Sequence, residues 1–306
     1  MRELCQAAVV IVSLALLLPL SISKSANASS TSLHHPGGAH APFSVQRSQL
    51  LFKDAQRATP ARGEVPGHAG RLLLTDIFRP ERAAGPLPVI LFAHGWDSSP
   101  DSYDVLLRAW ASAGYLVVAP ILPDSAAGLP GSPISNYPAQ ARDLSFLITK
   151  LLQGALGHVD RSKIAVAGHS DGGTDVALMA LDPSFADHRV RAYLSLSGEI
   201  PFQLPGPWDA RTPGSLLVAV GGADEYGLAP RASEIFAAAQ MHKVLVSLDG
   251  GDHLGSFVDP GNPSAEMRAA TLRFLAASFA SSRPSDAVLA AELRIDAGPA
   301  LQVEAG

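Results

Sequence analysis

The stretch AVAGHSDGGTDVA, residues 165–177, sets one serine, Ser170, between Gly168 and Gly172 where small apolar residues give way to a helix-like pattern. A Gly-x-Ser-x-Gly match alone is weak, because with 27 glycines in 306 residues chance supplies about 0.2 of them. Context decides its meaning. Residues 163–167 read as a strand and residues 172–181 as a helix, so Ser170 stands on the turn between them. That is the setting of a nucleophile elbow, in which Gly168 and Gly172 relieve crowding and Gly173 lets the helix pack closely.

Working outward, short apolar runs alternate with helix-length segments. Residues 44–52 and 71–78 read as two antiparallel strands joined by a Pro- and Gly-rich connection. Residues 87–93, LPVILFA, form a continuous apolar run, as in a strand covered on both faces. Residues 101–113 place Tyr103, Leu106, Leu107 and Trp110 at helical intervals and stop at Gly114. Further strands are expected at 115–122, 191–196, 215–220 and 243–248, and helices at 137–152, 230–241, 264–280 and near 285–293. Strand alternating with helix predicts an α/β chain with a mostly parallel central sheet and helices on both faces. Between the strands ending near Ser197 and beginning near Ser215 lies only a Pro-rich loop, which leaves no room for a large cap domain.

The composition, 47% hydrophobic and 17% charged, is that of a globular chain with a substantial core. A net charge of −5 without a long basic run gives no support to a nucleic-acid partner. Residues 7–23 are almost unbroken apolar, follow Arg2 and precede Ala26-Asn27-Ala28, so residues 1–28 read as a signal peptide cleaved near Ala28, giving a secreted protein. An uncleaved membrane anchor is the alternative, and after cleavage no stable membrane span is expected. Cleavage also removes the only cysteine, Cys5, leaving core packing to hold the fold. Residues 29–42 read as a flexible leader whose His34, His35 and His40 lack acidic or Cys partners; no metal is expected. Residues 43–306 are then one domain ending in a short helix and a tail.

In a parallel sheet, reactive groups gather beyond the carboxyl ends of the strands. A serine hydroxyl needs a base, a group orienting that base, and donors for the developing oxyanion. LLVAVGGADEYG brings Asp224 just past one strand, and VLVSLDGGDHLGSF brings His253 into the loop after a later one. The order Ser, Asp, His at strand ends is that of an α/β-hydrolase. Glu225 is the second choice of acid, with Asp249 and Asp252 remote because they lie too near His253 in sequence. The loop HGWDSSP, after residues 87–93, and the residue following the nucleophile are expected to supply the backbone N–H groups of Trp96 and Asp171 to the oxyanion hole. Trp96 and His169 are candidate substrate-binding side chains, although His169 also suits simple packing.

HGWDSSPDSY, AWASAGYLVVAP, VDRSKIAVAGHSDGG, GGADEY and GGDHLGSF resemble the corresponding motifs of secreted actinobacterial α/β-hydrolases, in the branch of the chlorophyllases and the platelet-activating-factor acetylhydrolase type, and distantly those of polyester-degrading cutinases. The resemblance implies an α/β-hydrolase fold, carboxylic-ester hydrolysis without a cofactor, and Ser170, Asp224 and His253 as nucleophile, acid and base. It also implies that Trp96 lines the acyl cleft. Those relatives usually carry Met or Leu where this chain has Asp171, and cutinases carry a C-terminal disulfide that this chain cannot form. The resemblance is therefore taken no further than a serine esterase acting on a small-molecule or lipid ester, with polyester as a further option. A peptidase or amidase of the same fold, and a non-catalytic binding module on that scaffold, are the competing readings. The sequence gives no oligomeric state.

Overall fold

The computed structural model describes residues 42–129, 136–280, 284–295 and 297–306. The expected signal peptide and almost all of the expected leader, with its three histidines, lie outside the described residues. Among the described residues, nine strands form one sheet: β1 (Val45–Asp54), β2 (Arg71–Pro80), β3 (Leu87–Ala93), β4 (Leu116–Pro120), β5 (Val159–His169), β6 (Ala192–Leu196), β7 (Ser215–Gly221), β8 (His242–Leu248) and β9 (Leu301–Ala305). Their order is β1-β2-β4-β3-β5-β6-β7-β8-β9. The six strands from β4 through β3 to β8 are parallel, while β1, β2 and β9 pair antiparallel at the two edges.

The side-chain period of two divides each central strand between two cores. Val89, Leu91 and Ala93 of β3 pack on one face, and Ile90 and Phe92 on the other. The first face is covered by α2 (Tyr137–Leu152), α3 (Asp171–Leu181) and α4 (Leu228–Ala238). The second is covered by α1 (Asp104–Ser112), α5 (Gly255–Val258), α6 (Asn262–Ala280) and α7 (Asp286–Arg294). Each fully buried Leu, Ile or Val contributes roughly 1.5–3 kcal/mol, and Leu91→Ala, which would open a cavity beside α3, should cost about 2–5 kcal/mol.

A buried ion network ties the antiparallel edge to this body. Arg71 of β2 is 1% exposed and donates from Nε to both carboxylate oxygens of Asp143 in α2, at 2.6 and 2.8 Å. Its Nη2 reaches Asp124 Oδ2 at 2.6 Å. Such a network sets how the pieces meet more than it adds stability, but removing Arg71 would strip Asp124 and Asp143 of a shared buried countercharge.

Three local expectations change. Residues 101–113 are not one helix: a 3-10 turn, Pro100–Tyr103, precedes α1, because the Ser99 side chain accepts from the Asp101 amide and Pro100 opens the turn. A one-turn helix, α5, follows the loop that carries His253. The stretch after α7, expected as a tail, contains β9. Only Leu301 of β9 is buried, so its apolar pattern is too thin to announce a strand, and its partner β8 lies far away in sequence. No helix occurs among residues 197–214, in keeping with a site without a large cap.

The parallel register brings the strand ends to one level. Ala93 lies opposite Gly168, His169 opposite Leu196, Leu196 opposite Ala219, and Gly221 opposite Leu248. The loops leaving β3, β5, β6, β7 and β8 therefore converge on one edge.

Candidate active site

β5 ends at His169 and α3 begins at Asp171, so Ser170 makes the turn alone. Its φ of 57° and ψ of −120° are strained for a residue with a side chain. Close packing holds it there: a Cβ on Gly168 would lie 2.1 Å from Gly172 O, and one on Gly172 would lie 2.1 Å from Ala93 O. A Cβ on Gly173 would meet Leu196 O at 2.7 Å. The first turn of α3 thus rests directly on β5, β3 and the end of β6. The three glycines that suggested an elbow each sit where nothing larger fits.

The loops that carry Asp224 and His253 run side by side. Gly222 N donates to Leu248 O at 2.7 Å and Ala223 N to Gly251 O at 2.8 Å. Between them, His253 Nδ1 lies 2.8 Å from Asp224 Oδ2, with the Asp224 carboxylate fully buried. Glu225 takes a different part, accepting the His253 backbone N–H at 2.9 Å. Asp252 caps the turn after His253 by accepting the Ser256 amide at 3.1 Å, and Asp249 meets Gln302 at 3.4 Å. Of the four acids considered, Asp224 is the one paired with the imidazole among the described contacts.

The loop after β3 is held from within. His94 Nδ1 lies 2.8 Å from Gly95 O, and Leu122 N donates to His94 Nε2 at 2.9 Å. A carbonyl only accepts and an amide N–H only donates, so His94 carries its proton on Nδ1 and is neutral. Burial lowers its pKa to about 4. This bond fixes the peptide unit whose other end is the Trp96 N–H. His169 is likewise buried, with both ring nitrogens engaged, by Tyr103 Oη at 2.9 Å and by His253 O at 2.9 Å. His169 lines the same cleft as Ser170, with both of its ring nitrogens already hydrogen-bonded within the protein.

Ser170, His253, Trp96 and Asp171 all line one cleft of about 720 Å³. Its rim is apolar, with Trp96 half exposed, Tyr226 71% exposed and Leu254 beside them. The Tyr226 ring stands edge-on to His253, centroids 4.7 Å apart. The charged part of the lining is acidic, with Asp97, Asp171, Glu199 and Glu225 and, among the described residues, no Lys or Arg. Asp171 Oδ1 accepts the Tyr137 hydroxyl at 3.1 Å. Partial burial is the main cause holding Glu199 above its ordinary pKa; Arg231 opposes this and the Asp171 charge reinforces it. Among the described residues no cluster of His, Cys, Asp and Glu could hold a metal ion.

With this geometry in hand, comparisons place the chain. The sequence model of the chlorophyllase family matches residues 66–197. No curated protein matches the chain in sequence. Among solved structures 1276 chains match, one of them a ferulic acid esterase from Streptomyces cinnamoneus. That structure is 21% identical, covers 87% of this chain and 97% of its own, and superposes with a TM-score of 0.63.

The chain has an α/β-hydrolase fold, and its residues 66–197 are similar to the chlorophyllases.

In this chain the matched segment spans the loop after β3 and Ser170 but stops before Asp224 and His253, so those two rest on geometry. A fold shared so widely does not assign a substrate. Sequence reasoning missed Tyr103, Tyr137, Glu199 and Tyr226 as site residues. Tyr103 sits at a helix-periodic position and reads as core, which it also is. Tyr226, two residues past Asp224, is an exposed aromatic beside a candidate acid, and that signal was available.

Proposed function

We propose that Ser170, His253 and Asp224 form a catalytic triad that cleaves carboxylic esters through an acyl-enzyme. The chain is a carboxylic-ester hydrolase. The observation that carries the triad is the 2.8 Å pair of His253 Nδ1 and buried Asp224, opening on the cleft that also holds strained Ser170. His253 Nε2 takes the Ser170 hydroxyl proton as Oγ attacks the ester carbonyl carbon. The backbone N–H groups of Trp96 and Asp171 hold the oxyanion, which is the term that lowers the barrier most in such sites. His253 then protonates the leaving alkoxide, and water, deprotonated by the same imidazole, releases the acid. Asp224 orients the ring and stabilises its cation.

The substrate is a small-molecule or lipid ester, with Trp96 and Tyr226 framing its apolar part. The carboxylates of the cleft favour neutral esters over anionic ones. The apolar N-terminal run and the small residues Ala26 and Ala28 support export with cleavage near Ala28, which N-terminal sequencing of protein from the culture medium tests.

Two measurements test the triad. Ser170→Ala should lower turnover of a short p-nitrophenyl ester by roughly 10⁶-fold. A fluorophosphonate should label the native chain at Ser170. A fully active Ser170→Ala variant, or a label on another residue, would remove Ser170 from the mechanism.

A further inference from the structure

Three hydrogen bonds join the oxyanion loop to the base loop. Gly95 N donates to Tyr103 Oη at 3.1 Å, Tyr103 Oη lies 2.9 Å from His169 Nδ1, and His169 Nε2 lies 2.9 Å from His253 O. The direction of every link is fixed. His253 O only accepts, so His169 Nε2 carries a proton. Desolvation disfavours the charged ring, assisted by neighbouring His253, and lowers the His169 pKa to about 3, leaving Nδ1 as a bare acceptor. Burial keeps the Tyr103 hydroxyl protonated, with its pKa pushed up to about 12. Tyr103 therefore donates to His169 and accepts from Gly95. Any reversal would set two donors or two acceptors face to face in the interior, an expensive arrangement.

The rings have little freedom. Tyr103 packs edge-on to Phe92 at 4.8 Å between centroids, and His169 lies 4.5 Å from His253 and 5.2 Å from Phe257. A Cβ on Gly95 would lie 3.0 Å from Tyr103 Oη and 3.1 Å from Ser170 Cβ, so the loop cannot approach further. With Gly95 O held by His94 and Gly95 N by Tyr103, both polar groups of the residue before Trp96 are tied down.

We propose that Tyr103 and His169 are positioning residues: a one-directional hydrogen-bond chain that sets the Trp96 amide and the His253 imidazole at a fixed separation around Ser170. The proposal rests on the ester-hydrolase reading, because it assigns the chain to the transition state of that reaction. Neither side chain reacts. Each holds a loop that carries a reacting group, and misplacing such a group by a fraction of an ångström is costly.

The test separates this role from packing. Tyr103→Phe keeps the ring and removes the chain; kcat for p-nitrophenyl butyrate should fall about tenfold or more with KM changed less than about twofold. His169→Gln should fall similarly, and the double variant should lose little more than the worse single, since both cut one chain. Unchanged kcat in Tyr103→Phe, a loss confined to KM, or losses that multiply in the double variant would overturn the proposal. Imidazole nitrogen NMR gives a readout independent of turnover: His169 should be neutral with its proton on Nε2, and Tyr103→Phe should shift the Nδ1 resonance. A charged ring or an Nδ1–H tautomer overturns the chain even in a fully active enzyme. A wild-type protein that cleaves no ester would instead sink the functional reading while the NMR result still judges the chain.

Discussion

Asp224 Oδ2 and His253 Nδ1 lie 2.8 Å apart, while the neighbouring Glu225 carboxylate accepts the backbone N–H of the same histidine at 2.9 Å. Two adjacent acids thus hold one residue by its ring and by its main chain. Only the first can select the tautomer that leaves Nε2 free to take the serine proton. Asp224→Asn should therefore lower kcat by about 10³–10⁴-fold. Glu225→Gln, which keeps an oxygen for the His253 amide, should cost about tenfold or less. Steady-state kinetics on one ester decides this, and the reverse ranking would make Glu225 the acid.

The carboxylates lining the cleft make a second expectation. A p-nitrophenyl ester carrying a free succinyl carboxylate should be turned over more slowly than its neutral methyl-capped counterpart, by roughly tenfold in kcat/KM at low salt. Glu199→Gln should narrow the gap, and so should raising the salt to roughly 1 M, which shortens the screening length to about 3 Å. Equal rates for the two esters at low salt would show that the lining charges do not reach the substrate.

Asp175, in the middle of α3, is wholly buried and accepts from Gln140 Nε2 at 2.8 Å. Desolvation, reinforced by the charge of Asp171, raises its pKa well above the ordinary carboxylate value. The folded chain therefore keeps a proton that the unfolded chain releases. Its contribution is fully present below the unfolded carboxylate pKa and is lost as pH rises toward the folded value. Asp175→Asn should flatten that dependence and raise stability at neutral pH, as read by urea unfolding across a pH series. A less stable Asp175→Asn variant at neutral pH would mean that the carboxylate is needed in its charged form.

Gly172→Ala should be poorly tolerated, because its Cβ would stand 2.1 Å from a backbone oxygen of β3 and neither α3 nor the sheet can retreat. A loss of about 3 kcal/mol or more is expected, with loss of activity. Gly261→Ala, where a Cβ would find nothing nearer than 4.0 Å, should change stability by less than about 0.5 kcal/mol. Urea titration of both variants tests whether the Gly-x-Ser-x-Gly spacing here is a packing requirement.

Much of the fold was legible because the signals were local. Continuous apolar runs such as Leu87–Ala93 announce strands buried on both faces, and small residues around Ser170 announce a tight turn. Leu301–Ala305 was not legible, since one buried leucine in five residues carries no period. The candidate triad could be ordered from sequence because its residues follow the ends of β5, β7 and β8. The sequence ranked Asp224 ahead of Glu225, and the structure adds what adjacent residues do not reveal by spacing, namely that the Asp224 oxygen points to the imidazole and the Glu225 oxygen to the His253 backbone N–H.

His169 shows where the division falls. The sequence determined that an imidazole precedes Ser170 at the end of a parallel strand, that small residues surround it, and that an acid and a second histidine follow at later strand ends. The tertiary structure alone decided its use. Tyr103 and His253 lie 66 and 84 residues away, and only the closed sheet sets their hydroxyl and carbonyl against its two nitrogens. Chemistry that depends on residue type and local spacing is written in the chain; the direction of a hydrogen bond between distant groups exists only once burial has removed the water that would otherwise satisfy them.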